Sequence, residues 1–267
     1  MLSKVWQLFL RDARTALSYP MSFWPQWIAI PLGVTGVWFI SKLIPPSHHF
    51  GVGGQTGTYF SYVVLNVAFL GFQSTAVSAY QNAVRGTQST GVLEALLVTP
   101  TDLPLLVVAC SLWAFALTAV RVVVYLLSAM LIFHLDLSHA NSVAILLSLA
   151  LIVTCMSSFG IFSAASVMTF KQPSPTGLVF GSASQLLGGV FFPISLLPLW
   201  LQHVSQVLPI THGLGAIRAA AHGATLGQMG PDLVWLACAS LLLLPLALFA
   251  FHRSVIRAKY DGTLGQY

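Results

Sequence analysis

Long apolar runs broken by short polar stretches organise this chain. Six runs are long enough to cross a bilayer, near residues 22–43, 58–80, 104–133, 142–170, 176–200 and 232–251. About 20 apolar residues make one helical crossing. Lipid offers no partner to an unpaired backbone group, so each run is expected to be a helix. Ahead of them, residues 3–18 (SKVWQLFLRDARTALS) follow a different pattern. Lys4, Gln7, Arg11, Arg14 and Ser18 recur every three or four positions, and Trp6, Phe9, Leu10, Ala13 and Leu17 fill the opposite face. That periodicity predicts an amphipathic helix lying in the membrane interface, basic face toward headgroups. The first apolar run begins only near Met21, after this amphipathic start, so no cleaved leader is expected. The predicted fold is therefore all-α and integral to the membrane. Residues 1–20 form the interfacial helix, and 21–267 form one six-span domain.

Residues 193–222 (PISLLPLWLQHVSQVLPITHGLGAIRAAAH) break the pattern. Pro193, Pro198 and Pro209 interrupt helices, and Gln202, His203, Ser205 and Gln206 are polar. Short half-helices are expected here, dipping into the membrane or lying on it. Irregular backbone at that depth must be lined by protein or by a water-filled cavity. The segment is thus a candidate outer gate before the last span.

Composition supports the membrane assignment. The chain is 57% hydrophobic and 6% charged, where soluble domains carry roughly 25% charged residues. The net charge of +5 rests on 11 basic and six acidic residues. They are too sparse to track a nucleic-acid backbone, so nucleic acid is no expected partner. Their placement carries more information. Lys4, Arg11, Arg14, Arg85, Lys171, Arg253, Arg257 and Lys259 fall on one side of a six-span layout, and Lys42 and Arg218 on the other. The excess of basic residues marks the cytoplasmic side and puts both termini there. Arg121 falls on neither side, because it lies inside the third run. It can snorkel to headgroups, meet a polar partner such as a carbonyl freed by the breaks near 193–198, or contact an anionic group of a substrate.

Catalytic and metal motifs are missing. No GxxxxGK[ST] loop, HExxH, CxxC or GxSxG occurs. Cys110, Cys155 and Cys238 sit in apolar runs as small hydrophobes. His48, His49, His134 and His139 fall in polar loops without a carboxylate cluster, so no metal site is expected. Ser182 and Ser184 have no histidine at matching depth, which argues against an intramembrane hydrolase. A proton-coupled secondary transporter needs ionisable groups at mid-membrane. Arg121 is the clear one, and arginine keeps its proton. Gly177, Gly181, Ser184 and Gly188 make a small-residue stripe at spacings of four, three and four. Such a stripe lets helices approach closely. It fits a dimer seam, the wall of a path, or packing within one subunit.

One stretch is out of character. In GVLEALLVTP, residues 91–100, Glu94 stands among leucines between two spans, on the side rich in basic residues. Its surroundings, AYQNAVRGTQSTGVLEALLVTPTDLP (79–104), resemble the coupling helix of the ABC-2 type transporter permeases. Arg85, Gly91, Leu93, Glu94, Leu96, Leu97, Thr99 and Pro100 carry the likeness, with Gly91-Val92 standing where Gly-Thr is common. Residues 189–223 resemble the outer segment of the same family through Phe192, Pro193, Pro198, Pro209, His212, Arg218 and Gly223.

The resemblance implies six spans, a cytoplasmic coupling helix over about 82–100, and short re-entrant helices over about 193–222. It implies a permease without its own nucleotide site and without catalytic residues. It pairs with a second permease subunit, and two copies of a separate ATPase bind ATP and Mg. Glu94 and its neighbours would then form the ATPase contact. Gly177, Gly181, Ser184, Gly188 and Arg121 would line a dimer seam or path. The expected setting is the bacterial cytoplasmic membrane, and the expected activity is export of an amphipathic or lipid-like compound. Export of a lipid-linked glycan is the alternative within the family.

Overall fold

The protein is described from a computed structural model covering residues 2–44, 58–89, 103–170 and 175–260. Among these residues the chain is built of helices: α1 (Leu2–Leu17), α2 (Pro20–Leu43), α3 (Tyr59–Ser89), α4 (Leu103–Phe133), α5 (Ser142–Phe170), α6 (Pro175–Leu187), a 3₁₀ turn (Ile194–Leu196), α7 (Leu199–Val207), α8 (Pro209–Ala221) and α9 (Gly230–Tyr260).

Five of these helices are long and apolar enough to cross a membrane: α2, α3, α4, α5 and α9. Their apolar windows match five of the six predicted runs. The sixth, 176–200, departs from expectation. Its helix α6 has 13 residues, about 20 Å at 1.5 Å per residue, and stops at Leu187. Gly188 and Gly189 follow, the latter with φ +71°, and then Pro193 and Pro198 start the 3₁₀ turn and α7. A left-handed glycine followed by prolines leaves no continuous helix to 200. The short helices expected over 193–222 are present, and α8 begins at Pro209 in its first turn.

α3 is the centre of the bundle, with 67% of its apolar window buried against 6% for α2. α4 and α5 pack on α3 from two sides, α9 packs along α5, and α2 leans on α3 and α4. Phe60, Leu65, Phe69, Val122, Ile152, Ile210 and Leu236 share the main core. A second cluster at the other end joins Tyr80, Val84, Met168, Phe251 and Val255. Few polar bonds cross between helices. Thr75 and Thr118 hydroxyls meet at 2.7 Å, the Tyr80 hydroxyl donates to Ser157 Oγ at 3.1 Å, and Ser163 Oγ donates to Gln81 Oε1 at 2.8 Å.

α1 forms as the periodicity predicts. Its Phe9 meets Trp113 of α4 edge-on at 5.4 Å and stacks on Trp6 at 5.6 Å. Trp6 and Leu17 stay largely exposed.

Helix ends at the opposite pole are closed by specific groups. Asn141 Oδ1 accepts the Ala144 N–H at 3.2 Å and caps α5. Gly223, at φ +83°, ends α8 while Ala224 N–H reaches back to the Ala219 carbonyl at 2.9 Å. The Asn141 N–H donates to the Ala220 carbonyl at 2.9 Å. The 134–141 connection and the end of α8 are therefore one rigid cap on the bundle.

Candidate functional site

The break after α6 is held by a polar cluster inside the bundle. Ending a helix at Leu187 frees carbonyl groups that lipid cannot satisfy. Gly189 O accepts three donors: the Tyr62 hydroxyl at 2.6 Å, Asn66 Nδ2 at 3.2 Å and Arg218 Nη1 at 3.3 Å. Asn66 Nδ2 also reaches Val190 O at 2.9 Å, and its Oδ1 accepts from Arg218 Nη1 at 3.4 Å. The Arg218 guanidinium lies 4.6 Å from the Tyr62 ring centroid, a cation–π contact. Arg218 is buried, 6% exposed. Three elements meet here: α3 supplies Tyr62 and Asn66, α8 supplies Arg218, and the broken strand of chain supplies the carbonyls.

Outside this cluster a second contact ties α8 to α9. His212 Nδ1 lies 2.7 Å from Asp232 Oδ1, and its Nε2 lies 2.7 Å from the Gln206 carbonyl. The ring stacks on Trp235 at 4.5 Å. Both ring nitrogens face acceptors, so the imidazolium form satisfies both. The Asp232 hydrogen bond raises the His212 pKa, with the Gln206 carbonyl adding to it and partial burial opposing. At the same pole, Gln202 Nε2 donates to the Leu197 carbonyl at 2.8 Å and pins α7 to the 3₁₀ turn.

Arg121 lies on α4 and donates through Nη2 to Gln26 Oε1 on α2. Among the described residues its buried Nε has no hydrogen-bond partner. Of the three readings of Arg121, the polar partner shown is Gln26 rather than a carbonyl near 193–198. Arg218, on α8, donates to the Gly189 carbonyl.

The sequence-predicted residues divide as follows. Of the predicted gate residues, Arg218 reaches the Gly189 carbonyl of the break, Pro193, Pro198 and Pro209 open the 3₁₀ turn, α7 and α8, His212 stands apart in its contact with Asp232, and Phe192 is half-buried. The stripe splits. Ser184 and Gly188 are buried, and a Cβ at Gly188 would strike the Ser184 carbonyl and Ile210 Cγ2, so this end packs against α8. Among the described residues nothing lies within 4 Å of a would-be Cβ at Gly181. Gly177 lies in the first turn of α6. Arg85 is exposed near the end of α3. Gly91, Leu93, Glu94, Leu96, Leu97, Thr99 and Pro100 lie outside the described residues.

Sequence reasoning missed Tyr62, Asn66, Gly189, Asp232 and Gln26. Asn66 was the findable one, an amide inside an apolar run. Asp232, one of six acidic residues, opens the last span within reach of the helix that carries His212.

A crevice of about 1040 Å³ opens between α4 and α5, floored by Phe72 and Tyr80 of α3. Phe115, Leu149, Val153 and Leu244 make its walls apolar.

Compared with known proteins, the chain finds no match among curated sequences. A family model described as ABC-2 type transporter matches residues 15–221. The match runs from α1 through the broken segment to the end of α8.

Proposed function

The chain belongs to the ABC-2 type transporter family, and from that premise we propose that it is the permease half of an exporter. It is a multi-pass membrane protein and the membrane component of an ATP-binding cassette transporter, the part distinct from the nucleotide-binding subunit. In the proposal, two copies pair in the bacterial cytoplasmic membrane with both termini inside, and α6 adds a sixth crossing. Two copies of a separate ATPase bind ATP and Mg and dock on the 82–100 segment through Glu94 and its leucines. Nucleotide-driven motion moves that segment and with it the spans. The cargo is an amphipathic or lipid-like compound passing out of the cytoplasm or the inner leaflet.

The match over 15–221 carries this reading. The break at Gly189 supports a gate at the outer pole. It is a non-helical segment whose carbonyls are satisfied by side chains from two other helices, so it can be both irregular and stable inside a membrane. The apolar lining of the crevice between α4 and α5 supports a greasy cargo.

The test is reconstitution. Permease alone is expected to hydrolyse no ATP, since no phosphate loop occurs in the chain. Permease with its cognate ATPase is expected to turn over ATP and to move an amphiphile across vesicles. Glu94→Lys should lower both while leaving membrane insertion and pairing intact. Nucleotide turnover by the permease alone, or unchanged export in Glu94→Lys, would overturn the reading.

A further inference from the structure

The last turns of α9 carry a basic and aromatic face. Phe249, Arg253, Ile256, Arg257 and Tyr260 recur at helical spacing, so they share one side of the helix. On the other side Phe251 and Val255 pack with Tyr80 and Met168 in the second core cluster. The arginine face is thereby turned outward, with Phe249 58% and Tyr260 89% exposed and both arginines exposed. A cleft of about 660 Å³ opens along it and reaches Thr169 near the end of α5. That volume lies within the range of small-ligand pockets, roughly 300–1,000 Å³.

Length places this face at the membrane boundary. Between Asp232 and Arg253 no Asp, Glu, Lys or Arg occurs. At 1.5 Å per residue that stretch is about 30 Å long, roughly the thickness of a hydrocarbon core. Arg253 therefore stands where hydrocarbon gives way to headgroups. Phe249 lies one turn inside that boundary, Arg257 one turn outside it, and Tyr260 beyond. The cleft is apolar at its deep end, with Phe249 and Ala250, and basic at its shallow end, which is the polarity of a phospholipid.

Charge and geometry then name the ligand. Among the described residues neither arginine has a carboxylate in ion-pair range. Residues 253–267 hold three basic residues against one acid, Asp261, so a single carboxylate cannot neutralise them. The Arg253 guanidinium lies 5.1 Å from the Phe249 ring centroid. That contact uses the flat face of the guanidinium and leaves its N–H edge to donate. Like charges one turn apart repel, and an anion that accepts from both removes the repulsion.

We propose that this cleft binds an anionic phospholipid of the leaflet at that end of the bundle. The phosphate accepts from Arg253 and Arg257, the tails run along Phe249 and Ala250, and Tyr260 meets the headgroup layer, where tyrosine is enriched. A zwitterionic lipid carries its own cation beside the phosphate and gains less from the two arginines. A soluble protein partner fits less well, because Phe249 and Arg253 lie at or below the membrane surface. The site needs only that α9 spans the membrane, so it stands or falls separately from the transport reading.

The experiment uses the full-length protein in phosphatidylcholine nanodiscs holding a trace of a photoreactive lipid. One probe is phosphatidylglycerol with a diazirine near the top of one tail. The other is phosphatidylcholine with the same tail and label. The phosphatidylglycerol probe is expected to label α9 around residues 249–256 about fivefold or more above the phosphatidylcholine probe, the ratio that one basic residue at an anionic headgroup supports. Arg253→Gln and Arg257→Gln together should bring the two probes level. Phe249→Ala alters no charge and should also lower labelling, which keeps the test open if the double variant fails to fold. Arg14→Gln, on the exposed side of α1, should leave labelling of α9 unchanged. Equal labelling by both probes in the wild-type protein, or a preference kept in the folded double variant, overturns the proposal. An equal drop in Arg14→Gln would make the preference a property of the basic surface as a whole, and also overturns it. So does loss of labelling in excess inorganic phosphate, which would assign the arginines to a soluble anion. Probes that label alike, together with loss of cognate ATPase binding in the double variant, would make the face a protein dock instead.

Discussion

Gly189 concentrates the demands of the broken segment on one residue. Its backbone is left-handed, and its carbonyl takes three donors. A side chain there would meet Ile194 Cγ1 at 3.0 Å from its Cβ. Gly189→Ala is expected to cost about 1–2 kcal/mol from the backbone alone, read as a lowered unfolding temperature in detergent. Tyr62→Phe removes the shortest of the three bonds and should cost about 1 kcal/mol. If Tyr62→Phe leaves stability unchanged, Asn66 and Arg218 suffice to hold the break. His212 gives a pH dependence with a definite sign. Asp232 raises its pKa above the unfolded value, chiefly by the hydrogen bond. Its contribution is then full below about pH 6.5, the ordinary histidine value, and fades as pH rises through the raised folded value. Wild-type protein should unfold at a higher temperature at pH 6 than at pH 9, by a modest margin because the ring is partly exposed. Asp232→Asn should flatten that difference, and a difference of the same size in the variant would remove the clasp from the account.

At the scale of elements, the close contact between α3 and α5 depends on one missing side chain. A Cβ at Gly160 would collide with the Ala76 carbonyl oxygen and come within 2.8 Å of Tyr80 Cδ2. Backbone cannot yield as a flexible side chain can, so Gly160→Leu must pry the two helices apart. A loss of several kcal/mol is expected, at the upper end for overpacking, together with loss of the Tyr80–Ser157 bond. Normal expression and unfolding temperature in Gly160→Leu would mean that the helices can separate at little cost. The helices themselves were legible in the sequence because lipid imposes a plain rule, a continuous apolar run of sufficient length. The end of α6 was not. The run from 176 to 200 stays apolar through Leu186, Val190 and Phe191, so hydropathy sees no boundary at Gly188-Gly189. The boundary is set by a positive φ and by donors from α3 and α8, more than a hundred residues upstream and about thirty downstream in the case of Asn66 and Arg218. The irregular segment was legible from its prolines, and the side chains that hold it were not, since Tyr62 and Asn66 read as ordinary members of a span.

At the scale of the whole molecule, the bundle is lopsided, and its lopsidedness bears on how two copies would meet. α2 is nearly all surface, with Trp24, Ile28, Leu32 and Phe39 more than 60% exposed along one face. On α6, Gly181 looks onto open space, while Ser184 and Gly188 one and two turns on are buried against the same subunit. In water such faces would be an aggregation hazard. In lipid they are tolerated, so exposure alone does not require a partner, and small residues rather than apolar ones mark where helices approach. That criterion selects Gly181, and also Gly33 and Gly36 of α2, whose would-be Cβ atoms likewise meet nothing. The expectation is that α6 of one copy packs on its counterpart or on α2 of the other through these glycines. Cross-linking tests it. Cys238 is exposed, so the background should replace it, and Cys110, with serine. In that background Gly181→Cys should form a disulfide-linked dimer in membranes on mild oxidation, with export reduced. A cysteine at Leu241, 80% exposed on the far side of the bundle on α9, should stay monomeric and sets the background of chance collisions. If the Gly181→Cys thiol reacts with a maleimide yet links no more often than the Leu241 control, the glycines of α6 do not form the seam, and pairing must run through another face.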